Sequence, residues 1–193
     1  MYLLSHSAIN KTSKEIRMKN KDLRINLIIA SFIVIGIVIG FITRLFVGIP
    51  NFTAMGAIAL FGGAYLSNKK LAIIIPLMVL FITDLFIGLH NTMIFVYIPF
   101  TLIILMGIYL RKNKKPILIF GASILGSVLF YLISNLGVWI TGMGYSPILT
   151  QVYIDGIPFF RNMLAGDLAF NAVFFTSAYF IFEKTTAIAT VNE

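Results

Sequence analysis

Six apolar stretches divide this chain, and short polar turns separate them. They cover residues 25–47, 53–67, 70–89, 92–110, 116–140 and 158–182. A membrane-spanning helix needs about 20 apolar residues, each adding about 1.5 Å towards a hydrocarbon core about 30 Å thick. Five stretches approach or exceed that length. The second, with about 15 residues, covers only about 22 Å. It is expected to tilt in a thinned bilayer, to be extended by Pro50–Phe52, or to be re-entrant. Pro76 and Pro99 fall inside the third and fourth stretches. Each removes a backbone donor, so a kink is expected there. The pattern predicts an all-α, polytopic membrane protein: six transmembrane helices in a compact bundle.

The polar segments orient that bundle. Residues 1–24 carry Lys11, Lys14, Arg17, Lys19, Lys21 and Arg24. A long apolar stretch follows with no small-residue cleavage site, so this reads as a basic cytoplasmic tail and not a signal peptide. The turns Ser67–Lys70 and Arg111–Lys115 and the end near Lys184 hold further cations. With both termini inside, 13 of the 15 Lys and Arg residues lie on the inner side. Only Arg44 and Arg161 fall near outer ends. The positive-inside rule therefore places both termini in the cytoplasm. The division expected is a tail over 1–24, a transmembrane domain over 25–184 and a short tail over 185–193.

Composition agrees with a lipid surrounding. The chain is 59% hydrophobic and only 11% charged, whereas soluble domains are about half apolar and about a quarter charged. The formal charge of +8 is accounted for by membrane orientation, so no nucleic-acid partner is expected. Cysteine is absent, which excludes disulfides, thiol catalysis and Cys-based metal sites.

The candidate chemistry gathers at one end. Asn51, Phe52 and Thr53 precede the second stretch, and Asp84, His90 and Asn91 close the third. Asn135 and Trp139 end the fifth, and Arg161, Asn162 and Asp167 open the sixth. Polar groups at membrane depth cost several kcal/mol unless they face a cavity or one another. Their bias to one side predicts an outward-facing polar pocket above an apolar inner half. Each has a plainer reading. Asp84 with Arg44, and Asp167 with Arg161, could be ion pairs. The six-residue separation of Arg161 and Asp167 puts them on different helix faces, so each should meet another helix. Asn135 reads as an interhelical donor or a ligand contact, and His90 as a loop residue or a ligand contact. Phe52, Tyr97, Trp139, Tyr145, Phe159 and Phe160 read as an interfacial belt, with Phe52 and Trp139 chosen to line a pocket for a flat ring. The segment Thr141–Pro158, rich in apolar and turn residues, is expected to form a lid over the mouth. Gly36 and Gly40 form a Gly-x-x-x-Gly, and Ala59 with Gly63 a second small pair, both suited to close helix approach. His90 has no Cys or second His beside it, so no protein-only metal site and no cofactor is expected. No catalytic signature or phosphate loop occurs, so the chain is not expected to be an enzyme.

The phrases Asn51-Phe52-Thr53-Ala54-Met55-Gly56-Ala57-Ile58-Ala59-Leu60-Phe61-Gly62-Gly63 and Asp84-Leu85-Phe86-Ile87-Gly88-Leu89-His90 resemble a group of uncharacterised, S-component-like bacterial membrane proteins. The architecture resembles the S component of an energy-coupling factor transporter, over roughly residues 25–184. That resemblance implies a substrate-binding subunit for a vitamin-type micronutrient in the bacterial cytoplasmic (inner) membrane. It also implies a membrane coupling subunit and ATPase subunits as partners, with Gly36 and Gly40 standing where the family docks through small residues. A corrinoid, ligated by His90, and a flat heteroaromatic vitamin are the substrates it suggests. The alternatives are an intramembrane enzyme acting on a lipid or prenyl substrate through Asp84, Asp167 or His90, an accessory membrane protein without a small ligand, and a passive transporter.

Overall fold

A segment in lipid must satisfy its backbone hydrogen bonds internally, which drives each apolar stretch into a helix. The computed structural model describes the backbone of residues 2–144 and 147–191, with side chains mainly between residues 27 and 181. Its elements are α1 (Tyr2–Leu45), α2 (Met55–Tyr65), α3 (Lys69–Ile87), α4 (Met93–Leu110), α5 (Pro116–Thr141) and α6 (Leu149–Val191). Five contain stretches long and apolar enough to cross a membrane: Leu27–Leu45, Lys69–Ile87, Met93–Leu110, Pro116–Thr141 and Leu149–Ile181. The chain is an all-helical, multi-pass membrane protein.

The short second stretch is neither a tilted span nor extended by Pro50–Phe52. Helix α2 has 11 residues, about 16 Å of rise, half of what the bilayer core requires. It is apolar on every side and buried from Met55 to Ala64, the signature of a helix enclosed by others. Helices α1, α3, α4, α5 and α6 all pack against it. The tightest contact is with α4, where Gly63 meets Gly107. A Cβ on either glycine would stand 2.9 Å from the other's Cα, so only glycine permits this crossing. Phe61 extends the core through ring contacts with Phe32, Phe174 and Phe175.

Gly36 and Gly40 also serve the interior. A Cβ on Gly36 would meet Ile58 and Phe174 at 3.4 and 3.6 Å, and one on Gly40 would press on Ile58 and Met55. The expected docking pair is therefore covered by α2 within the chain. Helix α1 instead turns Val34, Ile35, Val38 and Ile42 outward.

One end of the bundle gathers the basic turns. Arg111, at the end of α4, donates from Nε to the Gly63 carbonyl at 2.9 Å and from Nη1 to the Ser67 carbonyl at 3.1 Å. It ties the α2–α3 turn to the α4–α5 turn. Lys114 lies 5.0 Å over the Tyr65 ring, and partial burial followed by the nearby Arg111 holds its ammonium below the ordinary lysine value. Asn68 caps α3 by accepting from Lys70 N at 2.9 Å and Leu71 N at 3.4 Å.

The connection after α5 is shorter than expected. Gly142, in the left-handed region (φ 66°), ends that helix, and α6 begins at Leu149. Tyr131 donates to the Tyr153 carbonyl at 2.7 Å, and Tyr153 donates to the Leu132 carbonyl at 2.8 Å. These bonds hold the first turns of α6 along α5, so from Leu149 onward the described residues form helix where a lid was expected. Pro158 lies within α6. Tyr145 falls outside the described residues, as does the end of the short C-terminal tail.

Candidate functional site

The shortness of α2 creates the site. Helices α4 and α5 continue past its amino end, leaving a space that residues 46–54 only partly cross. That crossing requires chain reversals. Gly48 (φ 71°) and Asn51 (φ 62°) both adopt the left-handed region, which glycine takes freely and asparagine more readily than most residues. The result is a cavity of about 450 Å³, at the end opposite the basic turns.

One wall is polar. Arg44, Asn51, Thr53 and His90 line it. The rest is apolar, with Met55 as the floor and Val96, Phe100, Phe130 and Met163 along the sides. Arg44 reaches this wall from the last turn of α1, and its guanidinium is held from behind. It forms an ion pair with Asp84 on α3 and donates from Nη1 to Thr83 Oγ1 at 2.8 Å. Tyr97 on α4 donates to the second Asp84 oxygen at 2.7 Å. Asp84 has no exposed surface. It anchors Arg44 and does not touch the cavity. The structural reading of this pair holds, and the cavity-facing member is Arg44.

His90 approaches the cavity from the α3–α4 turn, with Nδ1 2.6 Å from Thr92 Oγ1. Thr53 Oγ1 accepts from Met55 N at 3.3 Å. Asn162 donates to the Pro50 carbonyl at 3.0 Å, fixing the crossing segment to α6 without lining the cavity.

The remaining candidates lie elsewhere. Phe52 packs on Phe170 with ring centroids 5.8 Å apart. Asn91 is exposed in its turn. Asn135 donates to the Tyr131 carbonyl at 2.8 Å, and its side-chain amide lies against Gly156 of α6, so it is an interhelical contact. Trp139 donates from Nε1 to the Pro147 carbonyl at 2.9 Å and pins the α5–α6 connection. Arg161 is exposed and Asp167 buried, and they form no ion pair. Asp167 instead meets Ser127 on α5, beneath the cavity floor. Sequence reasoning had Arg44 as one of the outer polar groups and a partner for Asp84 but not as a contact residue, and it missed Ser123, Ser127 and the apolar lining. The four-residue spacing of Ser123 and Ser127 on an apolar helix, matched by Asp167 and Asn171 on the next, was the available signal. Among the described residues, no group of three metal-ligating side chains converges.

Chemically, the arrangement can hold a small molecule of mixed character. Its polar wall offers donors, while its sides and floor are greasy. Comparison with curated proteins and with solved structures returned no match. Residues 21–189 match a family of unknown function, DUF6580, and the chain belongs to that family.

Proposed function

We propose that this protein is a membrane-embedded binding subunit for a vitamin-type small molecule taken from the outer side. Energy for uptake comes from separate coupling and ATPase subunits. The supporting observation is the cavity above α2. It opens at the end opposite the basic turns, presents an immobilised guanidinium, and is floored by Met55 above a core that is apolar apart from one buried polar run between α5 and α6. Its volume falls within the range of about 300–1,000 Å³ usual for small-molecule sites. That favours a flat ring system of vitamin size over a corrinoid, which carries both a macrocycle and a nucleotide loop. Ring edges bearing acceptor atoms would face Arg44, Asn51, Thr53 and His90. The ring would lie along Phe100, Phe130 and Met163.

The experiment is ligand recovery. The protein is expressed in rich medium and purified in mild detergent, and released small molecules are identified by mass spectrometry. A near-stoichiometric heterocycle that is lost in Phe130→Trp, which fills the cavity, supports the proposal. A folded preparation with nothing bound, unmoved in thermal stability by a vitamin panel, refutes it and favours an accessory role.

A further inference from the structure

Below the cavity floor, α5 and α6 share a run of four polar side chains where the surroundings are otherwise apolar. Asn171 donates from Nδ2 to Ser123 Oγ at 2.9 Å. Ser127 Oγ lies 3.1 Å from the Ser123 carbonyl and 2.7 Å from Asp167 Oδ2. Asp167 and Asn171 are 2% and 3% exposed. Asp167 Oδ1 has no hydrogen-bond partner, and neither has Asn171 Oδ1. Gly56 on α2 lies flat against the carboxyl group. A Cβ there would collide with Oδ1 and approach Cγ to 2.8 Å.

Both contacts of the Ser127 hydroxyl can be full hydrogen bonds only if Asp167 brings a proton. The Ser127 hydroxyl has a single hydrogen and two acceptors in reach. If it donates to the Ser123 carbonyl, Asp167 Oδ2 must be the donor on the other side. A proton on Oδ2 then completes a continuous series from Asp167 to Ser127 to the backbone. The bare Oδ1 becomes the carbonyl of a neutral acid, which is far less costly to leave unpaired than an anion's oxygen. Among the described residues, no cation forms an ion pair with Asp167. Helix α2 brings no ionisable side chain before Tyr65, and α5 brings none but Tyr131, whose hydroxyl is bonded to the Tyr153 carbonyl. On α6, Asp155 and Arg161 are exposed. The segment before α2 brings the Thr53 backbone against Gly166. The amino end of α2 would favour an anion through its dipole, yet no backbone N–H from it reaches Oδ1. The close fit against Gly56 also leaves no room for a hydrated metal ion.

We propose that Asp167, with Ser127, Ser123 and Asn171, forms a proton-binding site enclosed by α2, α5 and α6 beneath the cavity. The site is loaded in the folded protein and needs no ligand above it. It stands independently of the pocket's function.

The test is infrared spectroscopy on ligand-free protein in lipid. The chain has four aspartates, Asp22, Asp84, Asp155 and Asp167. Asp84 is ion-paired, Asp155 is exposed, and Asp22 lies in the basic segment before the first apolar stretch. At neutral pH an ordinary aspartate, with a value of about 3.9, is ionised. The proposal expects a carboxylic-acid carbonyl band at that pH, shifted by ¹³C-aspartate labelling and absent in Asp167→Asn. The labelling result in unmutated protein decides the matter even where the variant fails to fold. In parallel, the thermal midpoint of the unmutated protein should fall as pH rises, while that of Asp167→Asn stays level. No labelled band at neutral pH, or a midpoint that rises with pH, would show a carboxylate and overturn the proposal. A midpoint raised by sodium over potassium at equal ionic strength would overturn it in favour of an alkali-cation site.

Discussion

Replacing Arg44 by Met and Asp84 by Asn should have unequal effects. The two groups form one ion pair, but they differ in access to water. The Arg44 side chain is 15% exposed and lines the cavity, whereas Asp84 is fully enclosed. Arg44→Met leaves a buried carboxylate with only the Tyr97 hydroxyl. Breaking a buried pair in this way costs about 3–5 kcal/mol. Asp84→Asn keeps an acceptor for Tyr97 and leaves a guanidinium that cavity water can reach, still bonded to Thr83. Losing that one charge-assisted hydrogen bond should cost about 1.5–3 kcal/mol. For a chain of this length, 1 kcal/mol moves the thermal midpoint by about 2–4 °C. The expected losses are then about 6–20 °C for Arg44→Met and about 3–12 °C for Asp84→Asn. The double variant removes both charges and should recover part of the Arg44→Met loss, a coupling of about 1–3 kcal/mol. Thermal unfolding in one detergent, read by intrinsic fluorescence and circular dichroism, measures all three. An Asp84→Asn variant less stable than Arg44→Met, or a double variant that simply adds the two losses, would refute this account.

Three further outcomes follow from the packing and the topology. Gly107→Val drives a side chain into the α2 backbone at Gly63 and should abolish folding in membranes. Gly121→Ala, with open space around it, should leave stability level or raise it by up to about 1 kcal/mol from helix propensity; expression level and gel-filtration profile separate the two. The chain has no cysteine, so single-cysteine variants give a clean topology map. Asn91→Cys should react with impermeant maleimide from outside intact cells, and Asn113→Cys only after lysis; the reverse pattern would invert the orientation. Gly56→Ala should cost more stability than Gly36→Ala by a clear margin in thermal unfolding. The first added methyl meets the Asp167 carboxyl group, and the second meets Ile58 at an accommodating 3.4 Å.

Much of this architecture was legible along the chain, because its solvent is lipid. Length, apolarity and scarcity of charge dictate helices, and one-dimensional charge bias is enough to sort their ends. The side of the bundle that carries a pocket was also visible, since Asn51, Thr53, Asp84 and His90 fall together in any up-and-down tracing. Sequence could not say which member of a charged pair faces the cavity. Arg44 and Asp84 are equivalent as symbols, and only the packing of α3 against α4 buries the acid and leaves the base at the wall. Nor could it separate the inward glycines Gly36 and Gly40 from a docking surface, because a small-residue spacing is the same whether the partner helix is internal or foreign. The second stretch shows the division most clearly. Its sequence determined a short, wholly apolar helix. The tertiary structure decided that this helix is enclosed by the other five, and that the length it lacks becomes the cavity. The physical reason is that helix formation is fixed by local backbone demand, whereas enclosure and empty space depend on how long neighbouring helices pack around it.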